Sequence, residues 1–478
     1  MALLFINGQW VESGNRQYFD VLNPATGEIV GNASNAGEKE TQIAIDAAYE
    51  AFSEWSKLTA EERSVFLRKW YELIVRNVDE IARIMTLEQG KPIAEAKAEL
   101  MNAAKFVEWY AEEGKRIYGE TIPAPTRDKR IVVMKQPVGV VAAITPWNFP
   151  AAMVARKVAP ALAAGCTCVL KPAEQTPLTA VKLIELMDEA GFPKGVINLI
   201  TGDPVQIGQT FMRDSRVRKI TFTGSTEIGK LLMRQSADTM KNISLELGGH
   251  SPFIVFNDAN LEKAVKGAIT AKFRNAGQAC TSINRIFVQE GIADDFVQAY
   301  RKEVAALKVG NGLEPDTNVG PLIDRQSFAK VSDHVQDAVA KGAKLICGGE
   351  GYHLGTSEEA GYFFQPTVLA GVTKEMKIMR EETFGPVAPI ITFRTEDEVV
   401  QLANDSLYGL VAYLFTESLS CAIRVGEKLE YGILGINDGQ TSAAQAPFGG
   451  FKESGLGREG GRVGIESFLE MKFMSISI

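Results

Sequence analysis

From residue 140 onward, β-branched apolar runs return at a nearly regular interval, and that rhythm limits what the chain can fold into. Candidate strands begin near Val140, Cys166, Val196, Lys219 and Ile243, roughly 23–30 residues apart, with a helix-length segment between each pair. This is the spacing of βαβ units in a parallel, doubly wound sheet. After Gly248-Gly249 the rhythm restarts with "SPFIVF", "INRIFVQ", "KLICGG", "PIITF", "VAYLF" and "ILGIN". Two α/β units therefore follow one another, with the break near residue 250. A length of 478 residues suits two or three domains.

Around these units the pattern changes. Residues 38–118 read as helices, with Thr59 and Glu62 forming a capping box ahead of Phe66, Trp70, Leu73 and Ile74 at helical spacing. The stretch "KRIVVMKQPVGVVAAIT" is strand-like with Pro137 at a bend. The final "EMKFMSISI" alternates like a strand that pairs outside its own domain.

Composition excludes several classes. A net charge of −8 with no basic stripe argues against nucleic-acid binding. The N-terminal "MALLFINGQWVE" lacks the features of a secretory signal, and no apolar run approaches the roughly 18–20 residues that cross a bilayer. Five cysteines, an odd number, fit free thiols in a reducing compartment, and a cytoplasmic enzyme is expected. No metal site is expected. Cys166 and Cys168 sit in an apparent buried strand with no histidine near in sequence, and Cys347 and Cys421 read as core fillers.

Cys280, in "FRNAGQACTSINR", lies in a small-residue turn between two apolar strands, where a nucleophile can be presented. Most cysteine nucleophiles have an imidazole partner, yet the chain has only His250, His334 and His353. Other motifs point to a nucleotide. In "ITFTGSTEIGK" a strand meets a turn at Gly224 and a helix packed closely through Gly229, whose free N–H groups suit a pyrophosphate. In "VLKPAEQTP", Lys171 and Glu174 follow a strand at the carboxyl edge, where open α/β sheets bind ligands. A carboxylate there takes ribose hydroxyls and repels a 2′-phosphate. A simple strand-to-helix turn and a solvated charge pair are the plainer readings of these two motifs. A cysteine facing a nicotinamide needs a base, an oxyanion partner and a hydride acceptor, not a histidine.

At this point the chain resembles the NAD(P)-dependent aldehyde dehydrogenase superfamily over essentially its whole length. The motifs are "TPWNFP" (145–150), "KPAE" (171–174), "FTGSTEIG" (222–229), "LELGG" (245–249), "GQAC" (277–280), "EETFGP" (381–386) and "PFGGFKESGLGRE" (447–459). The resemblance implies an α/β fold: a Rossmann-type cofactor domain (1–119 and 139–249), an α/β catalytic domain (250–449) and a β-strand oligomerisation arm (120–138 and 462–478). It implies Cys280 as nucleophile, Asn148 with the Cys280 N–H as oxyanion donors, and Glu246 as the base that activates water. Lys157 and Glu459 stand where a proton relay is expected. Trp147, Lys171, Glu174, Gly224, Ser225, Gly229, Glu382 and Phe384 would hold the cofactor, with Glu174 favouring NAD over NADP. The partners implied are a small aldehyde substrate and further copies of the chain, as a homodimer or homotetramer.

The flanks "WNFPAAM", "KFRNAGQ" and "SGLGREG" are most similar to succinic semialdehyde dehydrogenases, and Arg156, Arg274 and Ser442 sit where those enzymes bind the substrate carboxylate. A broader specificity, or glutaric semialdehyde, is the alternative. Ser282 stands where many members carry a second cysteine, so a regulatory disulfide at the nucleophile is not expected.

Overall fold

The computed structural model describes residues 1–354 and 360–478. All five early strands form where the rhythm puts them: Val140–Ile144, Thr167–Lys171, Ile197–Leu199, Val217–Thr223 and Asn242–Glu246. They are parallel, and the first is central, with Thr167–Lys171 and Ile197–Leu199 on one side and Val217–Thr223 and Asn242–Glu246 on the other. The winding reverses beside Val140–Ile144, which opens a crevice at the carboxyl ends of the strands. Both faces of this sheet are covered. Val141, Ala143 and Leu170 point into one core with the helices Ala60–Arg76, Ile93–Glu113 and Pro150–Ala164; Val140, Ala142 and Val169 point into another with Glu38–Trp55 and Pro204–Arg213. Near-continuous apolar strands are what a doubly covered parallel sheet requires.

The helical reading of residues 38–118 holds, and the Thr59 box is formed: Glu62 N–H donates to Thr59 Oγ1 at 3.2 Å and Thr59 N–H to Glu62 Oε2 at 2.7 Å. Pro150–Ala164 is buried along its entire length although it carries Arg156 and Lys157.

The second sheet is again parallel at its centre, with Ser251–Val255 between Ile283–Gln289 and Val411–Phe415. Val387–Phe393, Thr367–Ala370 and Ile433–Ile436 extend it, and Lys344–Cys347 closes one edge antiparallel. Cys347, on that edge, is half-buried, so it is not the core residue its apolar neighbours suggested, whereas Cys421 is buried. Strand pairing missed by the sequence rhythm includes Thr367–Ala370 and the N-terminal Leu4–Ile6, which adds to the first sheet antiparallel.

Lys129–Pro137 pairs along its whole length with Leu469–Ser477 and, over Ile131–Val133, with Glu120–Ile122. Pro137 ends its strand. No helix among the described residues is long and apolar enough to cross a membrane.

Candidate active site

Helix Leu261–Phe273 leads to Cys280 through a turn with three successive left-handed residues, Asn275 (φ 51°), Ala276 (φ 55°) and Gly277 (φ 74°). For residues with a Cβ this backbone costs about 1 kcal/mol or more each, so the surroundings must impose it. Asn275 N–H donates to Glu95 Oε2 at 2.8 Å, its Nδ2 donates to the Asn148 carbonyl at 3.0 Å, and its Oδ1 accepts from Gln89 Nε2 at 2.9 Å. Gln278 Nε2 donates to the Asn275 and Pro321 carbonyls, and Gln278 Oε1 accepts from Ile323 N–H at 2.9 Å. The glycines of the neighbouring motifs allow the segments to touch. A Cβ on Gly277 would lie 2.2 Å from the Gly385 carbonyl oxygen, and one on Gly249 would lie 2.1 Å from that of Cys280.

Cys280 forms part of the wall of two cavities. One, of about 270 Å³, lies at the crevice of the first sheet and is lined by Trp147, Asn148, Gly224, Ser225, Glu382 and Phe384. The other, of about 560 Å³, runs to Arg156, Arg274 and Ser442, past Phe149, Tyr413 and Phe448. The structure thus brings Trp147, Gly224, Ser225, Glu382 and Phe384 of the expected cofactor residues to one side of the thiol, and the expected substrate residues Arg156, Arg274 and Ser442 to the other.

The charges around the thiol are buried and uneven. Burial, with the carboxylates of Glu382 and Glu246, pushes the Cys280 thiol up to about 12, against the pull of Arg156 and Arg274. Glu246, 4 % exposed, lines neither cavity. Burial and then the neighbouring Glu459 hold its carboxyl well above the usual range, and its Oε2 has no hydrogen-bond partner among the described residues. Lys157 Nζ pairs with Glu459 Oε1 at 2.5 Å. Glu382 Oε1 accepts the Gly249 N–H at 2.8 Å, and burial raises this carboxyl to about 7.

Asn148 follows the central strand and precedes the buried helix. Its Nδ2 donates to the Gln278 carbonyl at 3.0 Å, which occupies one of the two amide hydrogens. Its own carbonyl accepts from Lys91 Nζ at 2.7 Å, and Lys91 in turn pairs with Glu99. Glu99 Oε1 accepts the N–H groups of Ala151 and Ala152, so it fixes the first turn of the helix that carries Arg156. Gln89, Lys91, Glu95, Glu99, Asn275, Gln278 and Tyr413 were not found by sequence reading. Only the polar letters within "FRNAGQ" gave a signal.

Arg156 is 4 % exposed and forms no ion pair among the described residues. Its Nη2 donates to Ser442 Oγ at 2.8 Å, its Nε has no partner among the described residues, and its Cζ lies 4.7 Å and 4.3 Å from the ring centres of Phe106 and Phe448. Arg274 is half-buried, touches Thr281 Oγ1 at 3.4 Å, and also lacks an ion pair among the described residues.

The first cavity has the setting of a nucleotide site at its phosphate and nicotinamide end. It opens at the start of helix Thr226–Ser236, where Ser225 Oγ caps the Ile228 N–H, and Gly229 lets that helix sit against Leu247. Trp147 and Phe384 meet edge to face at 5.6 Å, with Phe384 held at φ 53°. Lys171 and Glu174 form an ion pair beyond the carboxyl end of Thr167–Lys171 and are not part of the cavity wall. Ser282 Oγ is engaged with Lys272, donating to its carbonyl at 3.3 Å.

The comparisons with known proteins agree with this geometry. The model of the Aldehyde dehydrogenase family matches residues 10–474. The chain is 54% identical to the NADP(+) succinate-semialdehyde dehydrogenase of Escherichia coli (strain K12), over 99% of this chain and 97% of that protein. It is 54% identical to a glutarate-semialdehyde dehydrogenase of Pseudomonas putida, with the same coverage. The crystal structure of succinate-semialdehyde dehydrogenase from Burkholderia pseudomallei superposes with a TM-score of 0.98 at 50% identity, covering 100% of this chain and 98% of that one. With the family model matched over residues 10–474 and the fold superposing over the whole chain, the chain belongs to the aldehyde dehydrogenase family.

Proposed function

We propose that this aldehyde dehydrogenase oxidises a short aldehyde with a distal carboxylate, succinic semialdehyde foremost, to the free acid with NAD. One observation carries the substrate reading: Arg156 is a buried guanidinium with no ion-pair partner among the described residues, at the far side of a cavity that begins at Cys280. An uncompensated buried charge costs several kcal/mol. A substrate carboxylate accepting from Arg156, with Arg274 and Ser442 beside it, offsets that cost through charge-assisted hydrogen bonds. The test is kcat/KM for succinic semialdehyde against butanal, which has the same carbon count without the carboxylate. A preference of about a hundredfold or more is expected, and equal values would return the arginines to structural roles. The roomy 560 Å³ cavity also supports glutaric semialdehyde as a second substrate, since one methylene is discriminated by only about 1–3 kcal/mol.

In the reaction the Cys280 thiol gives its proton to water in the open cavity, and the thiolate adds to the aldehyde carbon. The free amide hydrogen of Asn148 and the Cys280 N–H donate to the oxyanion, each worth about 3–4 kcal/mol in such sites. The bound dinucleotide supplies the acceptor for the hydride that this carbon gives up. A thioester then remains on Cys280. Glu246 takes a proton from water, whose hydroxide attacks the thioester carbon as the C–S bond breaks. A carboxyl raised by burial is a stronger base than a free one, which suits this step. Lys157 and Glu459 are the relay behind it.

Glu174 supports NAD over NADP, because a 2′-phosphate would meet its carboxylate beside Lys171. Residues 1–119 and 139–249 form the cofactor domain, which also carries Asn148 and Glu246. Residues 250–449 form the catalytic domain, which carries Cys280 and lends Glu382 and Phe384 to the cofactor. Residues 120–138 with 462–478 form the arm that joins copies of the chain. Met471 and Phe473, both exposed on one face of the arm strand, support a homodimer or homotetramer. Five free thiols support a cytoplasmic location.

A further inference from the structure

The sheet face beneath helix Pro150–Ala164 packs against a helix buried on every side, yet two of its strands carry polar residues there. Lys219, Thr221 and Thr223 stand opposite Asn242, Ser244 and Glu246 in register. Alternate residues of a strand share a face, so these six form one row, about 13 Å from Glu246 to Asn242. Lys219 is fully buried and forms no ion pair among the described residues; its Nζ donates to Ser244 Oγ at 2.7 Å and Asn242 Oδ1 at 3.0 Å. From the helix above, Lys157 Nζ reaches Thr221 Oγ1 at 3.3 Å while pairing with Glu459. At the inner end, Glu246 Oε2, Glu459 Oε2 and Thr223 Oγ1 are buried oxygens with no partner among the described residues. Such atoms are satisfied by ordered water in proteins. At the outer end Asn242 is half-exposed, because the neighbouring strand Gly455–Leu456 covers only Leu245 and Glu246.

We infer that this row is the outlet by which the proton taken by Glu246 from the hydrolytic water reaches solvent, through Glu459–Lys157, Thr221, Ser244 and Lys219 to the sheet edge at Asn242. The inference rests on the hydrolytic reading above. Water gives its proton to Glu246 and its hydroxide to the thioester carbon, and the Cys280 thiolate departs. The proton passes from Glu246 to Glu459. Lys157 takes it from Glu459 as it gives one of its own to the Thr221 hydroxyl. That hydroxyl hands a proton on through Ser244 to the Lys219 amine, which releases one to water beside Asn242. Every group ends as it began, and no other reactant is consumed.

The outlet gives Lys219 a purpose that packing does not. An ammonium buried without a carboxylate is costly, and two neutral acceptors offset that only in part. Burial brings this amine down to about 7, against Cys166 and Glu459 and with Lys157, so it holds and releases a proton near neutrality. The ring of Phe468, 5.0 Å from Nζ, closes the remaining side.

The test is stopped-flow turnover of succinic semialdehyde and NAD in weak buffer with a pH indicator, following NADH and protons together. Thr221→Val removes one hydroxyl without changing shape, and Lys219→Met removes the amine. Both are expected to form the first NADH at the unaltered rate, then to hydrolyse about tenfold more slowly with a larger solvent isotope effect on that phase. Hydrolysis and proton release at the unaltered rate in Thr221→Val would overturn the outlet. So would equal slowing of both phases, which marks a structural role. Should Lys219→Met not fold, Thr221→Val decides alone. If the unaltered enzyme forms NADH but no free acid, it is the hydrolytic reading that has failed.

Discussion

Arg156 and Ser442, 286 residues apart in sequence, meet at 2.8 Å on the wall of the larger cavity. The serine oxygen is the one polar group of the described residues that the guanidinium touches, and the rings of Phe106 and Phe448 hold its plane. Arg156→Met should therefore lower kcat/KM for succinic semialdehyde by about a hundredfold, the worth of two charge-assisted hydrogen bonds. Butanal should change by less than about threefold. Ser442→Ala should cost the charged substrate about tenfold. Steady-state rates with both aldehydes check this, and equal losses for the two would sink the carboxylate clamp.

Glu246→Gln should separate the two halves of the reaction. The first NADH should appear with undiminished amplitude, because the oxyanion donors and the thiol are untouched. Steady-state turnover should then fall by about 10²–10⁴, the usual worth of a general base. Cys280→Ala should abolish both phases while NAD still binds, which a fluorescence titration can check. Loss of the first phase in Glu246→Gln would place the glutamate in activation of the thiol instead.

The pH dependence follows from the sign of the shift on Glu246. Its carboxyl is held well above the usual range, so the base form accumulates as pH rises, and kcat should climb on the acid side to a plateau. Glu459 is the second cause of that shift after burial. Glu459→Gln removes the repelling charge and leaves Lys157 without its partner, and both effects favour ionised Glu246. The climb in kcat should therefore move to lower pH, even as the plateau falls. A climb displaced to higher pH would contradict the arrangement.

Glu174→Ser should raise kcat/KM for NADP by about tenfold and lower that for NAD. The variant removes the charge that opposes a 2′-phosphate and frees Lys171 to meet it. Comparing the two cofactors in both proteins checks this directly.

What was legible in the sequence was whatever repeats or stands in a short motif. The parallel strands of the first sheet were readable because β-branched runs recur at a βαβ spacing. Leu4–Ile6 was not, since three residues carry no period, and its place beside Ile197–Leu199 is set by pairing across the chain. Within the site, Cys280, Asn148 and Glu246 each lie in a short local motif. The residues that hold them do not. Lys91, just before the helix Ile93–Glu113, and Glu99, within it, stand in no motif, and Gln89 reaches Asn275 across 186 residues. Only packing makes such groups buried, and only burial gives them their roles.

Lys91 and Glu99 test that last point. Both are almost wholly buried, and their ion pair is 2.5 Å. Each also makes a second contact, since Lys91 holds the Asn148 carbonyl and Glu99 holds the first turn of Pro150–Ala164. Lys91→Met leaves a buried carboxylate unpaired and should cost about 3–5 kcal/mol of stability. Adding Glu99→Leu removes the orphaned charge and should restore part of that, since an apolar pair of similar size is often no worse than a buried ion pair. Activity should not return with it. Asn148 would still lack the ammonium at its carbonyl, and the helix bearing Arg156 would lack its cap. Denaturant melts set beside kcat for the two variants check the argument. Recovery of stability and kcat together would mean that the pair acts on the fold alone.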